Sequence, residues 1–150
     1  MTTDQLPGFT SQQTSDGLYR FFIRDMKPAS VDAWFDMLMT LQAEVFAANG
    51  HMRVLYTLYG VWPTPYTIKK VLEASRNAPE NLKSSSAILL VEANGVTVRI
   101  LQSMFRQMPV YASQSRQIFF DESDALRWLD ERHAAFTPQS LSSADLNDPL

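Results

Sequence analysis

The stretch Met52–Asn77, MRVLYTLYGVWPTPYTIKKVLEASRN, constrains the fold more than any other part of the chain. Arg53–Leu58 is a short run of β-branched, aromatic and aliphatic residues of strand length. Thr64-Pro65 then opens a helix, with a hydroxyl at the N-cap and proline in the first helical position. Tyr66 and Thr67 fall in that helix's first turn. A strand that leads through a short connection into a helix is half of a strand–helix–strand unit. In α/β proteins the junction is where ligands, phosphate groups and regulatory modifications gather, because free backbone N–H groups point outward there.

The same alternation runs along the rest of the chain. Leu18–Arg24 reads as a strand, preceded by the turn Ser15-Asp16-Gly17. A Phe9–Gln13 strand on the other side of that turn would complete a hairpin at the sheet edge. Residues 30–48 carry an apolar stripe at helical spacing, Val31, Trp34, Phe35, Leu38, Leu41, Val45 and Phe46, and Asn49-Gly50 stops it. Residues 52–58 form the next strand and 65–76 the second helix, with Ile68, Val71, Leu72 and Ser75 facing inward. Ala87–Val91 is an apolar run suited to a strand covered on both faces. Asn94-Gly95 reads as a turn before a helix over 96–108, with Ile100, Leu101, Met104, Phe105 and Met108 as its stripe. Residues 117–120 give a last strand, and Asp121 caps a helix over 122–133 whose inner face is Ala125, Leu126 and Leu129. Strands alternating with helices predict one α/β domain with a mostly parallel sheet. Residues 1–8 read as a loose end and 134–150 as a disordered tail, on their polar, Ser-, Asp- and Pro-rich composition.

Composition removes several classes of function. The absence of cysteine excludes disulfides, thiolate nucleophiles and Cys-based metal centres. A net charge of −3 without a basic run argues against nucleic acid as a partner. No apolar run reaches the ~20 residues that span a bilayer. The opening MTTDQLPGFTSQQ lacks the basic and apolar regions of a signal peptide, so the expected location is cytoplasmic. His51 and His133 each stand without a second ligand at metal-binding spacing, and Ser84-Ser85-Ser86 lacks the glycines of a nucleophile elbow. Asp121, Glu122 and Asp124 suit the positive end of a helix better than a catalytic pair. No catalytic set is visible and no cofactor is implied.

The order of elements, the strand end Leu58-Tyr59-Gly60-Val61 and the segment Ile118–Leu129 (IFFDESDALRWL) resemble the STAS fold of bacterial anti-sigma-factor antagonists and of STAS/SEC14-like proteins. The resemblance spans about residues 9–133. It implies a SpoIIAA-like single domain: a mostly parallel four- to five-stranded sheet, four helices and an edge hairpin strand at the N-terminus. In that family a Leu-Ser-Gly-Val strand end precedes an Asp-Ser-Ser-Gly-Leu helix start whose second serine is phosphorylated. Tyr59 stands for the serine of the strand end. Pro65 and Tyr66 fall where the helix start has Asp and its first Ser, Thr67 where it has the phosphorylated Ser, and Ile68 where it has Gly.

The resemblance implies a non-catalytic regulatory or protein-interaction module with a protein partner. Its working surface would comprise Tyr59, Gly60, Trp62, Thr64, Tyr66 and Thr67, with Thr67 as the candidate phosphorylation site. The alternative, from the SEC14 side, is a binding domain for a lipid or other apolar small molecule. An open strand edge also predicts a homodimer. On the dipole argument alone, Thr67→Asp is expected to leave folding nearly unchanged or to stabilise the helix. The direction in which the aromatics of residues 56–66 point separates the two readings: outward for a protein partner, around a closed cavity for a small ligand.

Overall fold

The computed structural model describes residues 7–136, along which nine elements follow one another. They are β1 (Phe9–Gln13), β2 (Tyr19–Ile23), α1 (Pro28–Ala47), β3 (His51–Tyr59), α2 (Pro65–Asn77), β4 (Lys83–Val91), α3 (Gly95–Arg106), β5 (Gln114–Phe119) and α4 (Glu122–Phe136). The strands lie in the order of the chain, β1-β2-β3-β4-β5; β1 is antiparallel to β2 and every later pair is parallel. The expected edge hairpin and mostly parallel sheet are therefore both present, and β1 and β5 are the open edges. Residues 1–6 and 137–150, which hold most of the expected loose N-terminus and tail, lie outside the described residues.

This strand order dictates the layers. Right-handed crossovers that always step the same way across a sheet put their helices on one face. Accordingly α1 buries Val31, Trp34, Leu38 and Leu41 against Met52 and Val54, together with Ala74 of α2. On the same face α3 places Leu101 and Met104 over Leu58, Ile88 and Leu90. Only α4 is left to cover the other face, where Ala125 and Leu129 pack on Leu55, Ala87, Leu89 and Phe119. Tyr66 of α2 donates to Asp32 of α1, and the Lys70 ammonium sits 3.9 Å from the centre of the Phe35 ring, so α1 and α2 form a close pair. By contrast, α3 approaches its neighbours less closely than α1 or α4 does.

Several element details depart from the sequence expectation. β4 starts at Lys83, not at Ala87, because Ser84, Ser85 and Ser86 pair with β3 and β5 in full register. Asn94 is a helix cap and not a turn residue: its side chain accepts from Thr97 N at 3.0 Å, with Gly95 in the first helical position. Phe46, expected on the inner stripe of α1, is 42% exposed, since the buried stripe ends near Leu41. The buried face of α2 carries Thr67, Leu72, Ala74 and Ser75, leaving Ile68 and Val71 half-buried. α4 runs on to Phe136, past the expected end at 133.

The far end of α4 is held by an imidazole pair. His51 Nε2 meets Ser85 Oγ at 2.8 Å, and His51 Nδ1 meets His133 Nδ1 at 3.1 Å, with the two ring planes within 14°. One N–H donates to the other ring's lone pair, so at least one ring must stay neutral at that atom. Arg53, buried beside them, donates to the Asp16 carbonyl at 2.6 Å and lies 3.8 Å from Asp130 and 3.9 Å from the Asp16 carboxylate. Burial lowers the His51 pKa to about 4, and the nearby charges of His133, Arg53, Arg132 and Lys83 push the same way. His133 is lowered too, by burial and Arg53, while Asp130 and Asp16 oppose this.

A depressed histidine contributes stability that is whole above its ordinary pKa of 6.5 and is lost as pH falls toward the folded value. Thermal unfolding should therefore shift to lower temperature between pH 6.5 and about 4. His51→Gln should flatten that slope. Asp16 and Asp25, both lowered from 3.8, add a loss that sets in only at the acid end of this window. A melting temperature that stays constant from pH 6.5 to 4 in the unsubstituted protein would contradict the assignment.

Candidate functional site

Two places on the molecule combine accessible space with chemistry: the β3–α2 connection, and a cavity that begins beneath it.

β3 ends at Tyr59, and Gly60 turns the chain with φ at +64°, a left-handed conformation that side chains disfavour. Its N–H bonds Val91 O at 2.8 Å, which ties the turn to the end of β4. Thr64 caps α2 as expected, its Oγ1 accepting from Thr67 N at 3.2 Å. Tyr59 is 37% and Trp62 50% exposed, and the Arg24 guanidinium lies 5.4 Å from the Tyr59 ring centre. These two aromatics point outward. Tyr66 does not join them as a free ring: it donates to Asp32, which holds the phenol proton on and raises its pKa.

Thr67 lies on the inside. It is 5% exposed, and its Oγ1 is 2.9 Å from Thr64 Oγ1 and 3.6 Å from Met26 Sδ. A kinase reaches that hydroxyl only if the first turn of α2 lifts away. The six residues of the expected surface thus divide: Tyr59, Gly60 and Trp62 face outward, whereas Thr64, Tyr66 and Thr67 hold α2 in place. Burial also reverses the expectation for Thr67→Asp. A carboxylate facing Met26 loses hydration that the helix dipole only partly replaces. The substitution should destabilise the fold by about 1–3 kcal/mol, measured by urea denaturation. Unchanged stability would mean that the α2 start opens readily.

Between the sheet and helices α1–α3 lies a cavity of about 140 Å³. At its upper end it is lined by Pro63 and Thr67, directly inside the connection that carries Trp62. Its floor is the sheet, read row by row from the strand register. Leu58 stands highest, then Tyr56 and Ile88 in one row; below them come Ser86 and Arg116, and last Met52, Ser84 and Gln114. The roof over β4 and β5 is apolar, from Leu101, Met104, Phe105 and Met108. The floor therefore changes from apolar at the C-terminal end of the strands to polar at the N-terminal end of β4 and β5.

Tyr56 is enclosed by protein yet lines this space. Its hydroxyl accepts from Trp34 Nε1 at 3.1 Å, and burial pushes its pKa up to about 12, so it is a neutral phenol with a proton to donate. Arg116 also faces the cavity, and burial lowers its pKa against the favourable influence of Tyr56. A guanidinium nevertheless stays charged in any protein. Close-packed interiors seldom leave a space so much larger than a water molecule.

The sequence reading placed Tyr56 among the aromatics of the connection but missed Arg116, Ser84 and Ser86. The signal was available: polar residues at alternate positions, 84 and 86 or 114 and 116, mark one face of a strand. It was masked because a serine run looks like a loop.

No protein-family model matches the sequence, and no curated protein is significantly similar to it. In structure the chain is similar to an uncharacterized protein of the DUF3478 family from Shewanella loihica PV-4, described as having a SpoIIAA-like fold. The TM-score is 0.51 at 15% identity, over 81% of this chain and 91% of that one. The fold is SpoIIAA-like. The resemblance to the STAS fold seen in the element order thus holds for the three-dimensional architecture. Among the described residues no group of three His, Asp or Glu side chains is placed to hold a metal ion, and no helix is long and apolar enough to cross a membrane.

Proposed function

We propose that this SpoIIAA-like domain is a non-catalytic binding module that takes a small, largely apolar molecule between its sheet and helices α1–α3. The observation that carries this reading is the cavity of about 140 Å³ under an apolar roof. A space of this size has room for a molecule about as large as benzene. The roof is α3, whose Leu101 and Met104 meet the space. Such a module regulates by changing shape or stability when occupied, and needs no reacting group.

The test uses benzene as probe, followed by amide chemical shifts and thermal unfolding. Amides of Ile88, Leu101 and Met104 should shift saturably and the melting temperature should rise. Ser86→Leu, which fills the lower part of the space, should reduce both responses. Absence of saturable shifts at the solubility limit of benzene would count decisively against the cavity as a binding site.

A second reading is favoured by the outward aromatics. Tyr59 and Trp62 stand exposed on the connection that walls the upper end of the cavity, and aromatic side chains are enriched at protein interfaces. A protein partner docked there would sense an occupant below. Trp62→Ala should then weaken capture of a specific host protein while leaving unfolding within about 0.5 kcal/mol of the parent. Equal capture by both proteins would remove Trp62 from the surface.

A further inference from the structure

We propose that the occupant of the cavity is a small amphipathic carboxylate, held by its acid group at Arg116 and by its apolar body under α3. The inference rests on the cavity-binding reading above and adds the chemistry of the ligand. Three observations converge on it. First, Arg116 lines the space, and no carboxylate pairs with it among the described residues. An anionic guest would therefore meet a guanidinium that no protein carboxylate already occupies.

Second, the groups around Arg116 suit an anion. Ser86 is its direct partner in the strand register and lines the same space. The Tyr56 phenol keeps its proton, because its pKa is pushed up to about 12, and the hydroxyl already accepts from Trp34. Both hydroxyls can therefore donate to a carboxylate beside the guanidinium fork, a geometry that favours paired acceptor oxygens. No acidic side chain lines this end. Asp25, the one carboxylate on the cavity wall, lies just beyond β2, near the opposite end of the sheet.

Third, the polarity is one-sided. The Ser84, Ser86, Gln114 and Arg116 end is polar, whereas Leu58, Ile88, Leu101 and Met104 surround the other part. Gln114 is spoken for, since its Nε2 donates to Pro79 O at 2.8 Å, which leaves Arg116 as the strongest donor facing the space. A uniformly apolar guest would leave that charge desolvated, and a free inorganic anion would leave the apolar end empty. Only a molecule with one acidic group and a compact apolar body satisfies both ends. The volume limits that body to about the size of a benzene ring.

The experiment compares matched probes on the full chain by calorimetry and amide shifts: 3-phenylpropionate and hexanoate against 3-phenylpropanol and hexanol. Each acid should bind about tenfold or more tightly than its alcohol, the size of one charge-assisted hydrogen bond. Arg116→Met should bring acid binding down to the level of the alcohol and leave alcohol binding unchanged. Arg116→Lys should keep part of the preference, and thermal unfolding of both variants confirms that they fold. If acids and alcohols bind the unsubstituted protein equally, or if the preference survives in Arg116→Met, the anchor is wrong while the cavity reading stands. Inorganic phosphate binding as tightly as the acids would also overturn it, as an anion site indifferent to the apolar body. If none of the four organic probes binds, the cavity reading fails and this inference goes with it.

Discussion

One-directional winding is the constraint on which the rest of the structure depends. Each parallel strand joins beside its predecessor, so all three crossover helices are committed to one face. The opposite face has one helix to cover it, and α4 packs mainly on β3, β4 and β5, reaching Leu18 just before β2, and β2 itself through the Arg20–Glu122 ion pair at 3.0 Å. Phe22 of the hairpin side lies at its margin, with the guanidinium groups of Arg20 and Arg24 both within 6 Å of the Phe22 ring centre. Stacked arginines there take the place of a helix. They shield an aromatic ring from water while Glu122 and Thr10 accept from their guanidinium groups.

The same constraint crowds one side of the crowded face and leaves the other thin. α1 is long and its stripe is well matched to β3, and Tyr66, Asp32, Lys70 and Phe35 fasten α2 against it. α3 has no comparable fastening among the described residues, and it spans the part of the sheet where β4 and β5 turn polar. A helix with an apolar underside over a floor of Ser84, Ser86, Gln114 and Arg116 cannot close down on it without desolvating those groups. The cavity follows from that mismatch. It is the physical result of putting polar side chains on the core face of a central and an edge strand.

The architecture was legible in the sequence because hydrophobic period and turn chemistry agree almost everywhere. Thr64-Pro65 gave the start of α2, Asp121 the start of α4 and Asn49-Gly50 the end of α1. Asn49 adopts φ of +54° and Gly50 N–H bonds Val45 O. The site was legible only in part. Tyr59 and Trp62 could be placed on the connection by counting, but the inward rotation of Thr67 could not. It depends on where Met26 and Thr64 stand, and on the roll of α2 about its axis. Arg116, Ser84 and Ser86 were unreadable as a group, because they converge only once β4 and β5 are in register. The His51–His133 contact was equally hidden, since 82 residues separate the rings and each alone looks like a surface histidine.

Two features coincide beneath α3: a space of about 140 Å³ and a cation without a paired carboxylate among the described residues. Either could be removed cheaply. A leucine for Ser86 would fill space, and a neutral side chain at position 116 on the edge strand would remove the charge. Their location in one cavity means that a single guest can engage both at once, by filling the apolar part and pairing with Arg116. Ligand binding would then be coupled to stability by mass action, with the largest effect on the helix that is least fastened. That helix is α3, at the side of the sheet away from the tightly bound α1–α2 pair. Occupancy would be felt as a firmer α3 and as a better-supported β3–α2 connection, where Pro63 and Thr67 meet the cavity and Trp62 meets solvent.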